Sequence, residues 1–145
     1  MQNLYHKTPI TKKEIEEIER DLKISFPQEI QDFYLKNNGG RYDKNLFEHE
    51  DDGYKIHNFL SLKHGPGTIE SAFKSAFLDN ELMPKNLVPF AIDAGGDFFC
   101  FSIADEDFGA IIFFDSEYYD EPDRCLVPLA DSFSDFIAQL IVDEE

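Results

Sequence analysis

Positive charge is scarce in this sequence: 13 Lys and Arg stand against 30 Asp and Glu, a formal net charge of -17 with a pI near 4.4. A general binder of DNA, RNA or anionic membrane must offer phosphates a cationic surface, so direct nucleic-acid and membrane partners are excluded. Cysteine is almost missing too. Cys100 and Cys125 are the only two, and Cys100 sits inside Phe98-Phe99-Cys100-Phe101, where a buried reduced thiol is expected and no disulfide framework is implied. Apolar runs long enough to span a bilayer are lacking, and Met1 to Pro9 has no apolar stretch fit for a secretory leader. The expectation is a soluble, cytosolic protein.

What is present is enough for a core. The chain has 145 residues, 42% of them hydrophobic, with 15 Phe. One domain of this size removes roughly two-thirds of its unfolded surface from water, and residues 1–145 read as a single domain with no linker, internal repeat or low-complexity tract. The charge is lopsided. Residues 1–78 carry 11 basic and 13 acidic side chains, a net of -2, whereas residues 79–145 carry 17 acidic side chains against Lys85 and Arg124, a net of -15.

Periodicity predicts the elements. Thr11 and Glu14 form a T-x-x-E capping box, and Ile15, Ile18 and Leu22 share one helical face. Pro27 suits the first turn of a second helix with Ile30, Phe33 and Tyr34 buried, and Asn37-Asn38-Gly39-Gly40 stops it through a left-handed cap. Residues 41–53 are polar and read as a loop around short extended pieces. Tyr54 to Leu62 reads as a strand region. A third helix is expected from about Thr68 to Asp79, with Met83-Pro84 ending that region. Strands follow at Leu87–Ile92, Phe98–Ile103 and Ala110–Phe114, joined by turns at Asp93–Asp97 and Asp105–Gly109. The near-continuous hydrophobicity of Ala110–Phe114 marks a central strand covered on both faces. A loop from Asp115 to Asp123 precedes a strand at Arg124–Pro128. Ser132 then opens a helix whose face is Phe133, Phe136, Ile137, Leu140 and Ile141. The sum is an α+β domain.

Most short motifs reduce to structure. His6, His49, His57 and His64 lack metal-ligand spacing, and no H-E-x-x-H or G-x-S-x-G occurs. Gly95-Gly96 joins two strands without the Walker Lys, so it is no phosphate loop. The pairs Asp93/Asp97 and Asp105/Asp107 have the residue types for a divalent ion or an acid/base couple. Hairpin turns require the same residues for backbone reasons, and the twelve-residue EF-hand pattern is missing. No cofactor, metal site or catalytic residue is assigned.

One surface feature stands out. Asp115 to Asp123 mixes carboxylates with Tyr118 and Tyr119 in a loop. Tyrosine supplies contact area at low entropic cost, and carboxylates steer a cationic partner. Asp105-Glu106-Asp107 and Asp143-Glu144-Glu145 would extend the patch; the alternative is that all these residues only confer solubility.

The ordered motifs resemble a known family. Ile18-Glu19 and Leu22, then Phe26-Pro27, Ile30, Phe33 and Asn38-Gly39-Gly40, are similar to the opening of the SUKH superfamily. Val88 to Asp93 followed by Gly95-Gly96-Asp97-Phe98-Phe99-Cys100 resembles its central hairpin, and Ala130 to Ile137 its closing helix. Phe26, where Leu is common, and the lack of Trp are modest departures. The superfamily contains fungal Smi/Knr-type regulators of cell-wall glucan synthesis and many bacterial proteins. The resemblance implies a mostly antiparallel sheet flanked by helices and no catalytic residues. It also implies an immunity protein that binds and neutralises a toxin domain, often a nuclease; a regulatory or scaffold module of cell-wall assembly or signalling is the alternative. Nuclease toxins are cationic where they hold phosphate. The expected partner is therefore a basic toxin domain, met by Asp105, Glu106, Asp107, Glu117, Tyr118, Tyr119, Asp120 and Glu121. A divalent-ion hydrolase using Asp93, Asp97, Asp105 or Asp107 ranks last.

Overall fold

A computed structural model describes residues 8–65, 67–78, 86–118 and 120–143. Helix α1 spans Lys12–Leu22 and α2 spans Gln28–Lys36; strands β1 (Lys44–His49), β2 (Asp52–Lys55) and β3 (Asn58–Phe59) follow. Next come α3 (Ile69–Ala72), β4 (Leu87–Ile92), β5 (Phe98–Ser102), β6 (Ile111–Phe114), α4 (Pro122–Cys125), β7 (Leu126–Ala130), α5 (Phe133–Ala138) and β8 (Ile141–Val142). The strands form two antiparallel sheets, ordered β3-β4-β5-β6-β7 and β2-β1-β8. The class is α+β, as expected.

The capping box of α1 closes in both directions. The Thr11 hydroxyl accepts the Glu14 N–H at 3.2 Å, and the Glu14 carboxylate accepts the Thr11 N–H at 3.1 Å. Ile15, Ile18 and Leu22 are buried. Pro27 stands just ahead of α2, its carbonyl receiving the N–H groups of Ile30 and Gln31. The stop after α2 differs from the expected left-handed cap. Asn37 is extended, and the positive φ falls on Gly39 at +81° and Gly40 at +111°. Gly39 also permits a close approach, because a Cβ there would lie 2.9 Å from the Ser61 backbone. Beside it, buried Asn38 donates to the carbonyls of Thr8 (2.8 Å) and Leu62 (3.0 Å) and accepts the Leu62 N–H (2.7 Å). This side chain pins the end of α2 to the segment after β3.

The larger sheet is the expected meander. Within it β4 and β5 are buried on both faces, and Phe99, Phe101 and Phe113 project from one side. Phe90 is the extra residue of a bulge between Pro89 and Ala91. It meets Phe59, Phe133 and Phe136 with ring centroids 5.5–5.9 Å apart. Phe136 in turn lies 4.9 Å from Phe47 and 5.9 Å from Phe99, so it joins the two sheets. Strand β7 starts two residues later than expected, because Pro122–Cys125 turns helically and takes Arg124 and Cys125 out of the ladder.

The smaller sheet is the main departure. The short extended pieces expected within the 41–53 loop pair as a hairpin over residues 44–55, and β8 pairs with its first strand. Ile141, expected on the last helical face, leaves the helix for β8 and is 42% exposed, while Leu140 stays buried. The third helix begins at Thr68, whose hydroxyl accepts the Ser71 N–H, and after Ala72 it widens into a π-helical stretch, Phe73–Leu78. Its expected end at Asp79, and Met83-Pro84, lie outside the described residues. No described helix is long and apolar enough to cross a membrane.

Candidate functional site

The loop from Asp115 to Arg124 is built as two consecutive turns. A 3-10 turn, Ser116–Tyr118, is opened by Asp115, whose carboxylate accepts the Glu117 N–H at 3.1 Å. The Tyr118 carbonyl then accepts the Glu121 N–H at 2.8 Å, and the Glu121 carbonyl receives those of Arg124 and Cys125 at 2.9 Å. A second brace comes from the β4–β5 turn. Ser116 donates its hydroxyl (2.5 Å) and its N–H (3.3 Å) to the Asp97 carboxylate. Glu117, Asp120 and Glu121 therefore project into solvent from an ordered loop.

Arg124 modifies the expected contact set. Its guanidinium lies 3.8 Å from the Tyr118 ring centroid and 3.7 Å from the Glu121 carboxylate. Tyr118 is consequently half-buried and already holds a cation, while Glu121 shares its charge internally. Glu117 and Asp120 are exposed. Tyr119 lies outside the described residues.

Asp105, Glu106 and Asp107 form a 3-10 turn between β5 and β6. They stand at the opposite end of β6 from the 115–121 loop, and a four-residue strand separates the two by about 13 Å. Asp105 lines a groove of 530 Å³ together with Arg20 of α1 and Lys23 just after it, so cations already sit near it. Asp107 accepts the hydroxyl of fully buried Ser102, which orients its carboxylate. The expected patch is thus two surfaces. Asp143 joins neither as a free charge, because it pairs with Lys55 at 2.8 Å; Glu144 and Glu145 lie outside the described residues.

The fold adds carboxylates that were not assigned from the sequence. Glu50, Asp51 and Asp52 form the tip of the β1–β2 hairpin. Tyr54 feels this charge. Its ring lies 5.0 Å from Phe113, and its phenol is pushed above the ordinary tyrosine range, first by burial and then by the charges of Asp52, Asp115 and Glu50. The acidic run at 48–52 was visible in the sequence; its shared effect with Asp115 on Tyr54 depends on long-range pairing.

The other candidates become structural. Asp93 accepts the N–H groups of Gly95 and Asp97, both at 2.9 Å, as a turn-forming side chain. The Asp93/Asp97 and Asp105/Asp107 pairs lie at opposite ends of β5, about 16 Å apart along a five-residue strand, so they do not meet in one acid/base site. Among the described residues, no three His, Cys, Asp or Glu side chains converge on a metal-sized space. Cys100 and Cys125 are buried, and burial pushes both thiols above the ordinary range, which opposes nucleophilic use.

Comparison with known proteins places this geometry in context. Residues 9–139 match the model of the SMI1 / KNR4 family (SUKH-1). The chain is also similar to the SPbeta prophage-derived uncharacterized protein YokK of Bacillus subtilis (strain 168). The two are 27% identical over 151 aligned positions, covering 90% of this chain and 74% of that protein.

Proposed function

Because this chain belongs to the SMI1 / KNR4 (SUKH-1) family, we propose that it is a non-enzymatic, cytoplasmic immunity protein that neutralises a basic, nuclease-type toxin domain. The family has members in the immunity and regulator classes, and the features of this chain favour the first. The observation that carries the reading is the braced loop between β6 and β7, which holds Glu117 and Asp120 in solvent on the strongly acidic part of the chain. A preorganised surface loses little entropy on binding. Its field raises the encounter rate with a cationic partner, and bound carboxylates block the Lys and Arg that a nuclease needs for phosphate.

Glu117→Lys/Asp120→Lys tests this surface while sparing the Glu121–Arg124 pair. Association with the basic partner, followed by surface plasmon resonance at low salt, should slow by about tenfold or more, with thermal unfolding little changed. Unaltered association and affinity would show that this loop is the wrong surface.

A further inference from the structure

We propose that the groove between α2 and α5 is a second binding surface, and that it seats an amphipathic helix of a protein partner. The groove has a volume of 350 Å³. Glu29, Asp32, Phe33 and Lys36 line it from α2. Their spacing of i, i+3, i+4 and i+7 is one face of a helix, so the groove follows α2 for about two turns, roughly 10 Å. Phe133, Ile137 and Ala138 face them from α5. The floor is apolar and fixed. Phe33 meets the rings of Tyr34, Tyr42, Phe59 and Phe133 at centroid distances of 5.1–5.8 Å. Phe33 and Ile137 are only half-buried, so apolar surface stays open along the groove without any rearrangement.

The walls select the occupant. Both are helices, whose backbone N–H and C=O groups are bonded internally, so an extended segment finds no ladder to join. A helix satisfies its own backbone and lays a ridge of apolar side chains into such a groove. The rim adds charge of both signs. Glu29 and Asp32 are exposed at one end, and Glu29 is held there because it accepts the Ser134 N–H at 2.8 Å. Lys36 is exposed two turns beyond Glu29. The complementary helix therefore carries a Lys or Arg at one end of its apolar stripe and an Asp or Glu about two turns away. A second copy of this chain fits less well, because two copies of net charge -17 repel each other. Among the described residues, the lining includes none of 115–121, so this surface goes beyond the reading built on the acidic loop.

The test uses a net-neutral, acetylated and amidated peptide of about fifteen residues, with Leu at i, i+3, i+4 and i+7 and a Lys and a Glu two turns apart beside that stripe. Titrated into the full chain, it should shift amide signals at residues 29–37 and 133–138. An isomer with Leu at every second position should bind about tenfold more weakly. Ser134→Gln/Ala138→Gln fills the groove from exposed positions and keeps the Ser134 N–H for Glu29. This variant should weaken binding about tenfold, and Lys36→Glu, at an exposed site that leaves the fold alone, about threefold or more. Glu117→Gln/Asp120→Asn should stay within about twofold. Equal binding of the two peptides, undiminished binding by the filled groove, shift changes centred on residues 115–121, or no binding at millimolar peptide would each overturn the proposal. A dimer in sedimentation that Ser134→Gln/Ala138→Gln dissociates would give the groove to a second copy and overturn it as well. The association experiment above perturbs residues outside the groove, so the two readings fail independently.

Discussion

Asn38 offers the sharpest check on how the fold is held. It is 4% exposed, and its amide makes three hydrogen bonds, two of them to the backbone of fully buried Leu62. Asn38→Ala removes all three and leaves the Leu62 N–H and C=O without these partners. Thr8 is exposed, so water can replace the bond to its carbonyl. The Leu62 carbonyl still accepts the His64 N–H at 2.7 Å, so only the Leu62 N–H is stranded, and a loss of roughly 1–3 kcal/mol is expected. With an m-value of about 2 kcal/mol/M, the urea midpoint should fall by roughly 0.5–1.5 M. Asn38→Asp keeps the shape but turns a carboxylate toward two carbonyls, which raises its folded pKa above the unfolded value of about 3.9. This variant should lie closest to wild type at low pH, where the group is protonated in both states. It should lose stability as pH rises above about 3.9, until the folded group is also ionised. A midpoint shift below about 0.3 M for the Ala variant, under about 0.6 kcal/mol, would refute the pinning role.

Two further outcomes follow. Phe136→Ala, which empties the junction between the sheets, should cost about 3–5 kcal/mol in urea unfolding; a loss below about 1 kcal/mol would mean the sheets are joined elsewhere. Glu14 is held well below the ordinary glutamate range, at about 2, first by its bond to Lys63 and then by the Thr11 cap. Its stabilising effect is present above the unfolded value of about 4.3 and fades as pH falls toward 2. A carboxyl NMR titration with a midpoint near 4 for Glu14 would contradict this arrangement.

The parts of the fold readable beforehand are those whose signals are local. Thr11 and Glu14 lie three residues apart and cap each other, and β4, β5 and β6 are apolar runs bounded by Asp- and Gly-rich turns. The 44–55 hairpin gave no such signal, because Phe47 is its only fully buried large side chain and its partners are Phe136 and β8, some ninety residues away. Ile141 misled for the opposite reason. Its spacing from Phe133 and Ile137 is helical, but pairing with Leu46 draws it into a strand. The candidate site was legible as composition only. That Asp115 and the hairpin tip both act on Tyr54, that Arg124 occupies Tyr118, and that β6 divides the acidic residues into two surfaces all depend on the folded arrangement.

The central claim is tested most directly by affinity capture from the source cells at low and moderate salt, with the captured polypeptide then expressed alone and together with this chain. The account predicts one basic polypeptide, released as salt rises, that is toxic alone and harmless when this chain is co-expressed. Recovery of cell-wall or signalling proteins instead, or of a basic polypeptide whose toxicity this chain leaves unchanged, would contradict it.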